Sequence, residues 1–377
     1  MNRQAAALAE LRARGVAIVD LTQSNPTQAG FEYPASLLAP LAWPASLRYE
    51  PQPFGLEVAR AAAAADYARR GIRVAAERVV LTASTSEAYS LLFKLLCDPG
   101  DDVLVPVPSY PLFEHLTKLD AVRPVPYPLE YHGRWSIDLH TLERAITDRT
   151  RAVLVVNPNN PTGSFVSRSE LKRLSAICAA RGLALIGDEV FADYAFADAL
   201  PGPSVLEQDA ALAFSLAGLS KSAGLPQLKL GWVGVGGPTP LVSESLTRLE
   251  LICDTYLSVA TPVQHAAPSL LRAADPVRAQ IRNRTGENLR ALRATVATSP
   301  AVEVLNADGG WYAVLRVPAT SGEEQLALEL LQQDHVLAHP GYFFDFAHEA
   351  FLVISLLPPP DEFLTGVRRL VARAAAC

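Results

Sequence analysis

The chain has 377 residues, half of them hydrophobic and 19% charged, with 33 Lys+Arg against 39 Asp+Glu for a formal net charge of −6. That length exceeds one ordinary core and predicts two domains or one large α/β unit with an appendage, while the acidic balance, without any Lys/Arg-rich block, argues against nucleic acid as a partner. No apolar run reaches the length of a membrane span, and the amino terminus carries Arg3, Glu10, Arg12 and Arg14 where a signal peptide would be apolar. Cys97, Cys178, Cys253 and Cys377 lie far apart with no CxxC spacing, against a zinc site or a disulfide framework, so a soluble cytoplasmic protein is expected.

Taken in chain order, short β-branched runs alternate with helical patterns. RVVLTAS (78–84), DDVLVPVPS (101–109), RAVLVVNP (151–158), LALIGD (183–188), ALAFSLAG (211–218) and LGWVGVG (230–236) read as buried strands. Between them lie helix-like segments such as SEAYSLLFKLLCD and SRSELKRLSAICAARG, the second stopped by Gly182 as a C-cap. Alternation of this kind predicts a mostly parallel sheet wrapped by helices. Beyond about residue 240 long helices lead into VEVLNADGGWYAVLRVP, a further helix and FLVISLLP, the pattern of a smaller α+β domain joined by the amino-terminal segment. The expected division is 41–280 for the large domain, and 1–40 with 281–377 for the small one.

In open α/β sheets ligands gather where strands end at their carboxyl side. The first run leads into Ser84-Thr85-Ser86, hydroxyls and amides opening a helix, which suits a phosphate or serves as a plain N-cap. The second ends at Ser109-Tyr110, an aromatic that either stacks on a flat ring or joins the core. The third ends in NPNNPTG (157–163), a proline-fixed loop that presents Asn160, or simply turns. The fourth ends at Asp188-Glu189, where a buried carboxylate calls for a cationic partner. The fifth leads to Ser220-Lys221 in GLSKSAGLPQLKLGW (218–232). The whole chain has only five lysines, so Lys221 and Lys229 in one apolar, glycine-punctuated segment are unlike surface decoration. A desolvated lysine amine loses its proton and becomes a nucleophile. A nucleophilic lysine, a phosphate cradle, a stacking ring and a buried acid are the parts of a pyridoxal phosphate site, with the lysine forming a Schiff base and the acid keeping the ring nitrogen protonated.

At this point the sequence resembles the class I/II aminotransferases of the aspartate aminotransferase fold type, from YEPQPFGLEVAR (49–60) through NPNNPTG, DEVFADY (188–194) and the Lys221 segment to GGWYAVL (309–315). The resemblance implies a large domain built on a mostly parallel seven-stranded sheet flanked by helices, plus a smaller α+β domain. It further implies Lys221 as the cofactor-linking lysine, Asp188 as partner of the pyridine nitrogen, Asn160 as donor to the ring's phenolic oxygen and Tyr110 as the stacking residue. Ser84, Thr85 and Ser220 would hold the phosphate, and Tyr49 would reach the phosphate of a neighbouring subunit in a homodimer with shared active sites.

Three positions depart from the family pattern. Lys229 stands where relatives carry an arginine on the phosphate, keeping charge but not the forked geometry. Phe191 replaces a tyrosine that would bond the phenolic oxygen. In the carboxy-terminal strand Val353 replaces the arginine that grips a substrate's α-carboxylate; Arg316, or Asn25 and backbone amides in TQSNPTQAG (22–30), are the alternatives in this chain. The leading expectation is transfer of an amino group from an amino acid or amine to a 2-oxo acid by a ping-pong cycle. The alternative is a lyase (β-elimination) or decarboxylase reaction on the same cofactor. A regulatory cofactor-binding role would call for a fused DNA-binding segment, for which the chain shows no room.

Overall fold

The structure, a computed structural model, describes residues 3–320 and 322–376. Its centre is an eight-stranded sheet in the spatial order Val79–Thr82, Gly231–Gly236, Ala213–Gly218, Ala184–Asp188, Thr150–Val156, Asp102–Val107, Arg123–Tyr131, Trp135–Ile137. The five strands from Ala213–Gly218 to Arg123–Tyr131 pair in parallel, and Gly231–Gly236 runs antiparallel to both its neighbours. Each of the six runs expected from the sequence is a strand of this sheet. Both faces are buried, which is why those runs are apolar throughout rather than alternating. Val103, Val105, Leu154, Val156 and Ile186 pack on one side with Ala88, Leu92 and Leu249. Leu104, Val153, Val155 and Leu185 pack on the other with Leu171, Leu174 and Cys178.

The sheet has one strand more than the expected seven. The addition is Trp135–Ile137, a three-residue strand folded antiparallel onto Arg123–Tyr131. Neither of these two strands stands out in the sequence, because RPVPYPLEY carries prolines at 124, 126 and 128. Proline at every second position puts all the missing N–H groups on one side of the strand, which a strand near a sheet edge tolerates. The helix Arg168–Arg181 has the stop expected of it: Gly182 sits at φ +65°, and a capping box of Ser167 and Glu170 starts it.

A second sheet of four antiparallel strands has the order Glu303–Val304, Tyr312–Arg316, Phe351–Ser355, His339–Pro340. Leu315, Leu352 and Ile354 pack there against Leu292, Leu330, Phe363 and Leu370. Val19–Asp20 pairs with Val336–Leu337, so the amino-terminal segment is attached to this end of the molecule. The long helix Asp275–Val296 passes from one body to the other without a break.

Candidate active site

The carboxyl ends of the central strands and the second sheet enclose a cleft of about 1190 Å³, counting its open mouth. Ser84, Thr85, Tyr110, Asn160, Asp188, Ser220, Lys221 and Lys229 all line it. Tyr49 does not: it is 74% exposed and borders a separate hollow with Tyr256 and Gln264.

Lys221 lies on a one-turn helix, Leu219–Ser222, directly after the strand Ala213–Gly218. Space forces glycine before it, because a Cβ on Gly218 would stand 2.9 Å from both Gly231 Cα and the Leu230 carbonyl oxygen. The ammonium lies 5.2 Å from the centre of the Trp311 ring and 5.7 Å from that of Phe191. Burial lowers the Lys221 pKa, and the nearby Asp188 charge opposes that shift without reversing it. The turn itself is braced from below. Tyr194 Oη donates to the Lys221 carbonyl at 2.7 Å, and Arg278 Nε donates to the Ser222 carbonyl at 3.0 Å. Ser222 Oγ donates to Asp193 at 2.6 Å, while Arg278 also pairs with Asp66 at 3.1 Å.

Asp188 ends its strand with its carboxylate open to the cleft and surrounded by protein on the other sides. Tyr89 Oη donates to its Oδ2 at 2.7 Å and the Val190 amide to its Oδ1 at 3.3 Å. Burial dominates these bonds and pushes the Asp188 pKa up to about 6. Tyr89, only 1% exposed, lines the cleft behind Asp188 and is not among the residues expected from the sequence. Helical spacing was the signal available for it, since four residues separate it from Thr85 and put both on one face.

At the end of the cleft beside the helix Thr85–Leu96, Ser84 caps that helix, its Oγ accepting from the Glu87 amide at 3.2 Å. The cap satisfies one donor and leaves the positive end of a three-turn helix at the cleft. Gly231 lets the neighbouring strand pass close by: a Cβ there would be 3.2 Å from the Ser84 carbonyl carbon. Lys229 stands at φ +50° with its side chain exposed at this end.

The asparagines of NPNNPTG divide into two kinds. Asn157 donates to the Pro203 carbonyl at 2.7 Å and accepts from the Val166 amide at 2.9 Å. Asn159 accepts from Thr162 Oγ1 at 3.0 Å. Those two build the loop. Asn160 lines the cleft, and its buried Oδ1 has no partner. Such an atom costs on the order of 1–3 kcal/mol, a cost that a ligand donating a hydrogen bond to it would remove.

The remaining sequence candidates fall elsewhere. Phe191 is buried edge-on against Trp311 at 5.1 Å, forming part of the wall beneath Lys221. Val353 is wholly buried in the same aromatic cluster. Arg316 does not line the cleft; it is exposed, pairs with Glu303 at 3.0 Å and lies over the Tyr131 ring. Asn25 is used locally, its Oδ1 capping a short turn by accepting from Thr27. Its neighbour Ser24 is the residue of that loop that reaches the cleft.

The family model for aminotransferase class I and II matches residues 47–370. An alanine aminotransferase of Mycobacterium tuberculosis is 29% identical over 375 residues, covering 96% of this chain and 86% of that protein. The glutamate-pyruvate aminotransferase AlaA of Escherichia coli is 27% identical over 386 residues, covering 96% of this chain and 93% of its own. Among solved structures, an aminotransferase from Escherichia coli superposes with a TM-score of 0.88 at 25% identity, covering 98% of this chain and 94% of that one. The alanine aminotransferase from Pyrococcus furiosus shares the fold with a TM-score of 0.89 at 24% identity, over 99% of this chain and 98% of that one.

Proposed function

The chain belongs to the class I and II aminotransferases and is an aminotransferase, and from that premise we propose that its cleft binds pyridoxal 5'-phosphate and exchanges an amino group between a small donor and a 2-oxo acid. The observation that carries this reading is that a desolvated Lys221 and a buried Asp188 carboxyl face one cleft. The names of the relatives favour transfer over elimination or decarboxylation.

When bound, the cofactor would supply an aldehyde that takes up the amino group and a protonated ring that withdraws electrons from the donor's reacting carbon. Burial favours the neutral Lys221 amine, so it is able to hold the cofactor between turnovers and, once displaced, to carry a proton from the donor's carbon. Asp188 pairs with the protonated ring nitrogen; that cation draws its pKa back down, so binding ionises a carboxyl that burial alone resists. Tyr89 keeps the carboxylate oriented. Asn160 would donate from Nδ2 to the ring's phenolic oxygen, and Tyr110 would cover the ring. Ser84, Thr85, Ser220 and the helix end take the phosphate, with Lys229 neutralising it.

A homodimer, a cytoplasmic location and a cofactor-binding domain over 41–280 with a small domain from 1–40 and 281–377 are parts of the same proposal. Leu47 at 90% and Tyr49 at 74% exposure, with Trp43 and Tyr256 also uncovered, form an apolar surface suited to a second copy, to which Tyr49 would reach across. Cys97, Cys178 and Cys253 are free thiols, in keeping with a reducing compartment.

The test is titration of cofactor-free protein with pyridoxal phosphate, followed through visible absorbance. Borohydride reduction and peptide mass analysis should then fix the cofactor on Lys221. A Lys221→Ala protein that gains the same band and retains label after reduction would remove the basis of the assignment.

A further inference from the structure

A lysine side chain is long and flexible, so the parts of Lys221 that the fold can fix are its root in the backbone and the surface along which its chain lies. The two tasks given to its amine, holding the cofactor and carrying a proton, depend on placement far finer than free rotation allows. The root is weak by itself. A one-turn helix such as Leu219–Ser222 is too short to persist alone, and its last carbonyls lack helical partners. Side chains from elsewhere take them up: Tyr194 Oη donates to the Lys221 carbonyl at 2.7 Å and reaches that of Ser222 at 3.2 Å, to which Arg278 Nε also donates at 3.0 Å.

Both side chains are held in turn. Arg278, 1% exposed, closes a ring of alternating charge: Asp66 lies 3.1 Å from Arg278 and 3.0 Å from Arg69, and Asp193 lies 2.6 Å from Arg69 and 3.8 Å from Arg278. Ser222 Oγ bridges two members of that ring, accepting from Arg278 Nη2 at 3.2 Å and donating to Asp193 at 2.6 Å. The paired charges balance, so the ring holds the turn by geometry rather than by field. Asp188 and Lys229 are the other charged side chains lining the cleft with Lys221 among the described residues. Tyr194 is wholly buried, its ring 5.2 Å from that of Trp311, over which the Lys221 ammonium lies, and its carbonyl accepts from the Gly310 amide at 2.9 Å. It thus touches both the root of the lysine and the surface beneath the amine. Asp193 and Tyr194 close the loop DEVFADY (188–194), tightened by the Ala192 and Tyr194 amides, which donate to the Glu189 and Phe191 carbonyls at 3.0 Å. One loop therefore presents Asp188 to the cleft and grips the lysine turn from behind.

Resting on the reading above, we propose that Tyr194, backed by the Arg278 ring, is a positioning residue for Lys221: it fixes where the amine stands relative to Asp188 and keeps it against the aromatic wall. Tyr194 does not line the cleft and acts only through the lysine. Loss of its hydroxyl frees the root, lets the amine reach water and weakens the burial that lowers its pKa.

The test compares two identical changes. Tyr194→Phe removes a buried hydroxyl from the Lys221 carbonyl; Tyr127→Phe removes one that donates to the Leu154 carbonyl at 2.6 Å in the central sheet and does not line the cleft. Both should lose similar stability in urea. In the full-length, cofactor-free chain, the rate at which formaldehyde and cyanoborohydride methylate Lys221, followed by peptide mass against the exposed Lys118, gives a pH midpoint for the amine. That midpoint should rise in Tyr194→Phe and stay at the wild-type value in Tyr127→Phe. In the reconstituted enzyme, with L-glutamate as donor and pyruvate as acceptor, kcat should fall only in Tyr194→Phe, on the order of 3- to 10-fold for one neutral hydrogen bond, with KM changed less. If either readout in Tyr194→Phe matches that in Tyr127→Phe, the proposal is overturned. If Tyr194→Phe does not fold, Ser222→Ala, which removes the hydroxyl between Arg278 and Asp193, decides by the same midpoint. The parent reading fails separately: a wild-type protein that gains no visible band or transfers no amino group removes it, and the midpoint in the cofactor-free chain then decides this inference alone.

Discussion

The two walls of the cleft are built on different principles. On the wall formed by the central sheet, each polar group stands at a strand end or two to four residues beyond one: Ser84 after Thr82, Asn160 after Val156, Asp188 at the end of its own strand, Lys221 after Gly218. The strands fix where these groups point, and little besides the local turn is needed. The facing wall draws Ser24 from the amino-terminal loop, Phe191 from the loop after Asp188 and Tyr312 from the second sheet. It holds no charge and is backed by aromatic packing. A cofactor always presents the same phosphate and ring and can be met by groups set rigidly on one sheet. A substrate that must enter and leave is met by pieces from separate bodies, whose relative position can change.

The polar wall should therefore be far less tolerant than the apolar one. Lys221→Ala is expected to cut turnover by at least ~10²–10⁴, the range for loss of a proton-transferring group, and to abolish borohydride-fixed cofactor. A substitution of similar size on the other wall, Phe191→Leu, should change turnover far less; comparable losses at both positions would erase the distinction.

Asp188→Asn sharpens the comparison, since it should weaken catalysis while strengthening the cofactor-free fold. The folded-state pKa, about 6, lies above the ordinary carboxyl value of 3.8. A carboxyl raised on folding binds its proton more tightly in the native state, so its contribution is favourable below about pH 4 and is lost as pH rises through about 6. Asparagine does not ionise and escapes that loss. The cofactor-free variant should therefore be more stable than wild type near pH 7.5, by on the order of 2 kcal/mol, with the gain disappearing toward about pH 4. Urea unfolding at the two pH values measures it. Tyr89→Phe should act more gently, removing a hydrogen bond to a charged group worth about 1.5–3 kcal/mol. The expected loss of cofactor affinity is about 10- to 100-fold, read by absorbance titration.

How much of this was legible in the sequence follows the same division. The six central runs and the groups beyond them are local features, and local chemistry in the chain is enough to find them. The strand Arg123–Tyr131 was hidden by its three prolines, acceptable only because of where the strand lies in the sheet. Tyr89 was within reach of helical arithmetic. Tyr194 and Arg278 were not, because Arg278 meets Asp66 across 212 residues and touches the lysine turn only through tertiary packing. Val353 is visible as an absence of charge in FLVIS, yet the aromatic rings that close over it come from segments as distant as Phe31 and Trp311. Tyr49 stands apart from the cleft, since among the described residues none lines both the cleft and the hollow that Tyr49 borders.

The smallest effect expected on the polar wall is a gain, from Lys229→Arg. Both side chains carry one positive charge, so long-range attraction for a phosphate is unchanged. What changes is geometry: a guanidinium offers two parallel N–H groups to two phosphate oxygens, where an ammonium offers a point charge that rotates. The backbone at 229 is left-handed, at φ +50°, for lysine already and would be so for arginine, so no new strain enters. Because the position is exposed, water and salt weaken either cation, and the gain should stay within about 2- to 5-fold in cofactor affinity. The salt dependence separates the causes. If geometry is responsible, the advantage of arginine persists as ionic strength rises, because paired hydrogen bonds are screened less than bare charge. If affinity instead falls in parallel for both proteins and the ratio stays at one, Lys229 serves the phosphate only through its field, and the tight part of the cradle is the helix end at Ser84 and Thr85.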